Sequence, residues 1–583
     1  MKSRPITFTI STKPFIKLQT WIILFLPYII MALMSALSIG LFIFFLNNNL
    51  GLAYNDARSH LDIGRRVVEG LKPGLAQLGS VWLPLPHALM IPTIWNDFFW
   101  HTGLSGAIQS MISFVLTGYI IYRILERLHA NISARIFGVV LFSTNLNILY
   151  LQSTAMTELL LLATMTIAVY ELIKWHDNDE IFSLLKSAGW VMLSTLIRYD
   201  GWFLFFYGAM LIVLRVIMQD LSKIHPHQHI SPTPQRLTAR RIILRLKQKV
   251  SFYVFILKKW QIGKTIGKAE GMFILFCTLG GFGLFMWVVW NWAIFKDPLY
   301  FAFGPFSAHA QQNQLEQAGV LLTKKDIWLS LKTYWFAMVF NLGVIPILFG
   351  FIGSILLFLD KKIKPAVRIA SSALYAPLIF NVLALYLGHS VLFVQNLNGN
   401  TWFNVRYGIM MMPSIAIFAG FLFYKAKSFR PLLVGLMIFF AFFHIVGKDA
   451  VTIDDGRVGS SQKNVSEVSG WLEKNTANRD GFVLISAASH DAIIFSSNMP
   501  MKKFIHEGTG TYWESATTTP DRWARWIVMR TNDANDLTYK TISKADWQDK
   551  YTLIHSYPFA DIYELKEEYL DELNTKPVLG KQK

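Results

Sequence analysis

The chain has 583 residues, 53% of them hydrophobic, 15% aromatic and only 16% charged, with a mean hydropathy of +0.37. These proportions exclude a disordered chain and an ordinary soluble domain, and describe a polytopic membrane protein. The formal charge of +18 is no sign of a nucleic-acid partner. Residues 448–583 hold 17 Lys and Arg against 20 Asp and Glu, so the basic excess lies in the apolar part, next to lipid headgroups.

Apolar runs near or above the ~20 residues needed to cross a bilayer as a helix predict eleven spans. They are Trp21–Phe45, Leu104–Leu125, Arg135–Leu151, Glu158–Trp175, Leu185–Ile197, Trp202–Met218, Met272–Phe295, Asn341–Leu359, Arg368–Leu387, Tyr407–Tyr424 and Pro431–Val446. The first is too long for a removed signal peptide and lacks a small-residue cleavage site beyond it, so it reads as a retained helix. Lys2, Arg4, Lys13 and Lys17 precede it and place the N-terminus in the cytoplasm. The positive-inside rule then holds at Arg123, Arg127 and Arg135, at Lys361 to Arg368, and at Lys425 to Arg430. Its strongest support is the loop of residues 219–271, with Arg236, Arg240, Arg241, Arg245, Lys247, Lys249 and further lysines. An odd number of spans leaves the C-terminus outside.

The first outer loop, residues 47–103, is unusual in composition. It carries Asp56, His60, Asp62, Arg65, Arg66, Glu69 and Asp97 within a Gly/Pro framework. Ala57, Leu61, Gly64, Val68 and Leu71 recur at helical spacing, which predicts an interfacial helix with Asp56 as its N-cap and His60 one turn further on. By position alone Asp56 is either a cap or a working carboxylate, and the Arg pair either meets headgroups or serves a site.

Other polar groups fall at the same predicted face. Glu158 opens the fourth span; Arg198, Tyr199 and Asp200 form the turn before the sixth. Asn291 closes the seventh and Asp297, Tyr300 and His309 follow it, and His389, Asn404, Arg406 and Tyr407 lie between the ninth and tenth. Ionisable side chains at membrane depth are expensive and are usually paired or functional. Acids beside arginines suit a reaction in which a carboxylate takes a proton and cations hold a phosphate leaving group.

The outer loop of residues 296–340, with Gly304, Pro305 and the run HisAlaGlnGlnAsnGlnLeuGluGln, is either a mobile cover or an ordered amphipathic segment. After Val446 the composition changes. Residues 448–583 alternate segments such as GFVLISA, RWIVMR and YTLIHSY with helix-like stretches, which predicts a soluble α/β domain outside the membrane. Asn464 begins a glycosylation sequon, a motif frequent by chance. The lone Cys277 excludes intrachain disulfides. No internal repeat of the transporter kind is apparent.

Four local motifs, AsnAspAlaArgSerHis with the later TrpLeuProLeuProHis, IleArgTyrAspGlyTrp, TrpAsnTrpAlaIlePheLysAspProLeuTyrPhe and AsnValArgTyrGly, occur in an order that resembles the membrane-embedded GT-C glycosyltransferases. The resemblance is to the bacterial relatives of protein O-mannosyltransferases and of the enzyme that adds aminoarabinose to lipid A. It implies a polytopic α-helical GT-C module over residues 1–447 with an extracytoplasmic α/β domain over 448–583, in the plasma (inner) membrane. It further implies a polyprenyl-phosphate sugar as donor, a hydroxyl-bearing acceptor, and transfer with inversion on the outer face.

By that resemblance Asp56 takes the position of the catalytic base, and Arg198 and Arg406 are the candidates for the phosphate. Glu158 is a candidate for sugar hydroxyls or for supporting a metal, and His60, Asp97, Tyr199, Asp200, His309, His389 and Tyr407 are further candidates for substrate binding. Many family members have two adjacent acids in the first loop, whereas Asp56 stands between Asn55 and Ala57. A divalent metal is therefore left unassigned, with His60, Glu158, His309 and His389 as the side chains of ligating type. Two rival functions stay open: a lipid-linked-sugar flippase or other transporter, and a non-catalytic scaffold subunit of a glycan-assembly complex.

Overall fold

The computed structural model describes residues 13–224, 262–304, 307–317, 319–458, 462–533 and 535–576. Most of the basic loop expected at 219–271, together with Lys2, Arg4 and Pro305, lies outside the described residues.

Every predicted span falls on helix. By length and composition, however, six helices among the described residues qualify as membrane-crossing, or eight when each of two bent pairs counts as one. Eleven is reached only by adding the short helices Ile132–Ser143 and Ile181–Thr195 and by dividing the apolar run Val405–Val458 in two. One bent pair corrects the sequence reading. The helix Ile327–Leu342 turns through 111° into Val344–Leu359, so the outer loop expected to reach residue 340 ends at Asp326, whose side chain accepts from Leu329 N at 2.9 Å. Gly343 permits the turn. Its φ of +84° suits glycine alone, and a Cβ there would stand 2.1 Å from the Phe440 ring.

The loop of residues 47–103 contains the expected helix, Asn55–Val68. Its N-cap residue is Tyr54 and Asp56 makes no capping bond, so Asp56 lies inside the first turn, where the helix dipole favours an anion. Buried Ala57, Leu61 and Gly64 lie on its inner face, and a Cβ on Gly64 would touch Met90 at 3.4 Å.

The stretches read as strands are strands of one five-stranded sheet, in the order β2-β1-β3-β5-β4. β1 (Phe482–Ile485) runs parallel to β2 (Phe504–Ile505) and β3 (Ala524–Met529). β5 (Asp561–Leu565) is antiparallel to β3 and to β4 (Tyr551–Ser556). β1 is buried at every position, as expected for a strand covered on both faces. Asn464 falls at the start of the helix Gln462–Thr476.

The sheet region packs against the loop of residues 47–103. Trp100 meets Phe495 edge-on at 5.8 Å between ring centroids, Arg58 donates to Ser496 Oγ at 3.1 Å, and Arg66 pairs with Asp491 at 2.7 Å. One hydrophobic core runs through both parts of the chain.

Candidate functional site

Arg406 is the centre of the polar cluster. Its Nε donates to Glu158 Oε1 at 3.0 Å and its Nη2 to Asp56 Oδ2 at 2.5 Å, while Nη1 stands 3.9 Å from Asp455 Oδ2. Arg198 approaches the same Glu158 oxygen at 3.3 Å and places its Nε 3.4 Å from Asp200. The Tyr407 ring is shared by the two cations, with Arg198 at 4.8 Å and Arg406 at 5.4 Å from its centroid. Four carboxylates thus face two guanidinium groups, and most of them are buried. Side-chain exposure is 0% for Glu158, 3% for Asp455 and 6% for Asp200, but 41% for Asp56. Glu158 Oε2 is buried without a hydrogen-bond partner, an acceptor with capacity left over.

The backbone that presents these groups is fixed by amides. Asn341 Nδ2 donates to Val405 O at 2.7 Å, next to Arg406, while Asn341 O accepts from Asn145 at 2.8 Å and Asn147 at 3.0 Å. Asn147 Oδ1 in turn accepts from Thr452 N at 3.0 Å and Thr452 Oγ1 at 2.7 Å, which anchors the helix Val451–Val458 carrying Asp455. Gly408 allows the 3₁₀ turn after Arg406 to lie against Ala337, whose carbonyl oxygen would stand 2.2 Å from a Cβ there. Tyr199 donates to Val81 O at 3.2 Å, fastening the Arg198 turn to the first outer loop.

His60 lies one turn beyond Asp56 on the loop helix. Its Nδ1 is 2.8 Å from His87 Nε2, and its ring packs on Trp82 at 4.3 Å. Burial first, then the charges of Arg198 and Arg406, push its pKa down to about 3, so at neutral pH it is an uncharged hydrogen-bonding group. Burial likewise holds His87 well below the usual imidazole value, and raises Tyr54 above the phenol range with help from Asp455.

The sequence candidates therefore divide. Asp56, Glu158, Arg198, Asp200, Arg406 and Tyr407 meet in one cluster, His60 feels its charges, and Tyr199 braces it. Asp97 is elsewhere, with its side chain 2.6 Å from Arg65 and largely exposed. His309 is exposed beside Asn313, and His389 is exposed where its backbone closes a helix on Ala384. Among the described residues no group of three or more His, Cys, Asp or Glu is arranged to hold a metal ion. The four side chains of ligating type are not gathered: Glu158 faces two arginines, His60 faces His87, and the other two histidines are at the surface. Among the described residues these four side chains do not form a metal site.

Two contributors escaped the sequence reading. Tyr54 is buried with Arg406 at 4.9 Å over its ring, and its hydroxyl donates to Asp455 Oδ2 at 3.1 Å. Asp455 follows the last predicted span, in a segment that reads as the beginning of a soluble domain. The one available signal was the paired acids Asp454 and Asp455 directly after the apolar run.

No protein-family model and no curated protein sequence matches the chain. Among solved structures, the fold is similar to ArnT from Cupriavidus metallidurans bound to undecaprenyl phosphate, with 9% sequence identity, a TM-score of 0.48, and 91% of this chain and 98% of that chain covered. It is also similar to the archaeal oligosaccharyltransferase AglB from Archaeoglobus fulgidus in complex with an inhibitory peptide and a dolichol-phosphate, with 12% identity, a TM-score of 0.43, and 87% and 70% of the two chains covered. The likeness is one of chain path alone.

Proposed function

We propose that the chain is an inverting glycosyltransferase that moves a sugar from a polyprenyl-phosphate donor to a hydroxyl acceptor at the outer face of the membrane. One observation carries the reading: of the four clustered carboxylates, only Asp56 is open to solvent, and a buried guanidinium holds it. A general base must reach its substrate, and Asp56 is the one of the four carboxylates that can.

In the proposed reaction the acceptor oxygen attacks the anomeric carbon as Asp56 takes its proton. The bond from that carbon to the phosphate oxygen breaks, and the polyprenyl phosphate leaves with the electron pair. Arg198 and Arg406 lie where they offset the charge that grows on the phosphate. Glu158 orients both cations through one oxygen and keeps the other, unpartnered, for a sugar hydroxyl. His60, neutral, serves as a hydrogen-bonding wall rather than as an acid.

The test is transfer of labelled sugar from a polyprenyl-phosphate donor by the purified full-length protein, with Asp56→Asn alongside. The reading expects turnover by the wild type and a loss of about 10²- to 10⁴-fold in the variant. Folded wild type that transfers to no member of a broad acceptor panel overturns it. Movement of the lipid-linked sugar across vesicles without transfer establishes the transporter instead.

A further inference from the structure

The third carboxylate of Arg406 has no part in the reaction as set out above, and its position is specific. Asp455 reaches the cluster from the helix Val451–Val458, which follows the last span predicted from the sequence. Its Oδ2 accepts from the buried Tyr54 hydroxyl at 3.1 Å and stays 3.9 Å from Arg406 Nη1, beyond hydrogen-bond reach. The other two edges of that guanidinium are closed by Glu158 and Asp56. Nη1 is thus the edge left for an incoming anion, and Asp455 stands beside it.

We infer that Asp455 is a positioning residue that competes with the lipid phosphate for Nη1 of Arg406, and that Tyr54 holds it back far enough for the phosphate to enter. The inference rests on the proposed donor class. A carboxylate that near a bound phosphate repels it, in a site where burial limits screening. Such a residue weakens product as well as donor binding, which lets the spent lipid phosphate leave. Tyr54 sets how strongly it does so: with its hydroxyl removed, Asp455 keeps a backbone hydrogen bond at Arg406 but loses the side-chain bond that draws it off the guanidinium, and closes on Nη1.

The two variants therefore shift affinity in opposite directions, which a merely structural role does not produce. Asp455→Asn keeps the shape and the Tyr54 bond while removing the charge. Tyr54→Phe keeps the ring over Arg406 and removes the tether. Binding of undecaprenyl phosphate to the purified full-length protein in nanodiscs is measured by titration, with Glu572→Gln, at an exposed pair with Arg522, as control. The expected result is binding on the order of tenfold tighter for Asp455→Asn, several-fold weaker for Tyr54→Phe, and unchanged for the control.

Wild-type binding with Asp455→Asn equal to it or weaker overturns the role of Asp455 and leaves the proposed function standing. Wild type that neither binds the lipid phosphate nor transfers sugar overturns both.

Discussion

Asn341 donates to the carbonyl of Val405 at 2.7 Å, at the point where one helix breaks and another segment delivers Arg406. The bond joins residues 64 positions apart. With both side chains of the pair Asn145 and Asn147 on the Asn341 carbonyl, it makes the break at Gly343 the mould for the Arg406 turn. Replacing Asn341 with Leu leaves the buried Val405 carbonyl without this donor. We expect a stability loss of about 1–3 kcal/mol together with weaker binding of polyprenyl phosphate. Denaturant unfolding and lipid titration of one preparation check it, and a destabilised variant with unchanged lipid affinity would disconnect the amide from the site.

Arg406→Ala leaves the buried Asp455 without its cation and Glu158 with Arg198 alone. Removing one partner of a buried ion pair costs about 3–5 kcal/mol, so this variant should unfold well below the wild-type temperature. Adding Asp455→Asn should recover part of the loss, because the uncompensated charge goes with it. Thermal unfolding of the single and double variants decides the matter: strictly additive losses would mean that the pair is not the source of the effect.

A pH dependence is expected where the loop helix meets the sheet domain. Asp62 and Asp491 face each other beside Arg66, and the pKa of Asp62 is raised by burial first and then by the charge of Asp491. A carboxyl with a raised folded-state pKa retains its proton in the folded protein where the unfolded chain has lost it. Its contribution to stability is therefore full below the ordinary carboxylate value of about 4 and declines as pH rises toward the raised one. Asp62→Asn keeps the acceptor for Trp100 Nε1, now at 3.0 Å, and carries no titrating proton. Relative to this variant, the wild-type melting temperature should fall as pH is raised above about 4; parallel curves would remove the Asp62 proton from the account.

Gly343→Ala adds a methyl group at a backbone angle that L-residues avoid, and points it into the Phe440 ring. The backbone part alone costs about 1–3 kcal/mol. Lower yield of folded protein and a reduced melting temperature are expected. Phe440→Leu should relieve the steric part but not the backbone part, so full rescue by that second change would contradict the backbone argument.

Much of this architecture was legible because its signals are local. Runs of apolar residues marked the helices, β-branched runs such as PheValLeuIle marked the strands, and short polar motifs marked Asp56, Glu158, Arg198 and Arg406. What stayed hidden depends on distant contacts. Asp97 and Asp56 are both acids of one loop, and only the packing of Arg65 across Ile94 and Trp95 assigns Asp97 to a different neighbourhood. Residues 327–340 read as loop because Lys332 and Thr333 interrupt their apolar character, and Thr333 is buried. Asp455 lies about 400 residues from Tyr54, at a separation of 401, and no periodicity links them.

The helix Asn55–Val68 has Asp56 at one end and Arg66, gripped by Asp491, near the other. At 1.5 Å per residue the two lie about 15 Å apart along its axis. A rigid rod of that length is a lever arm: tilting it by about four degrees about the Arg66 end moves the Asp56 carboxylate by roughly 1 Å, a displacement that can cost a positioned reaction about a hundredfold. Whatever the sheet domain grasps on its free surfaces, the force of that grip has a mechanical route to the carboxylate.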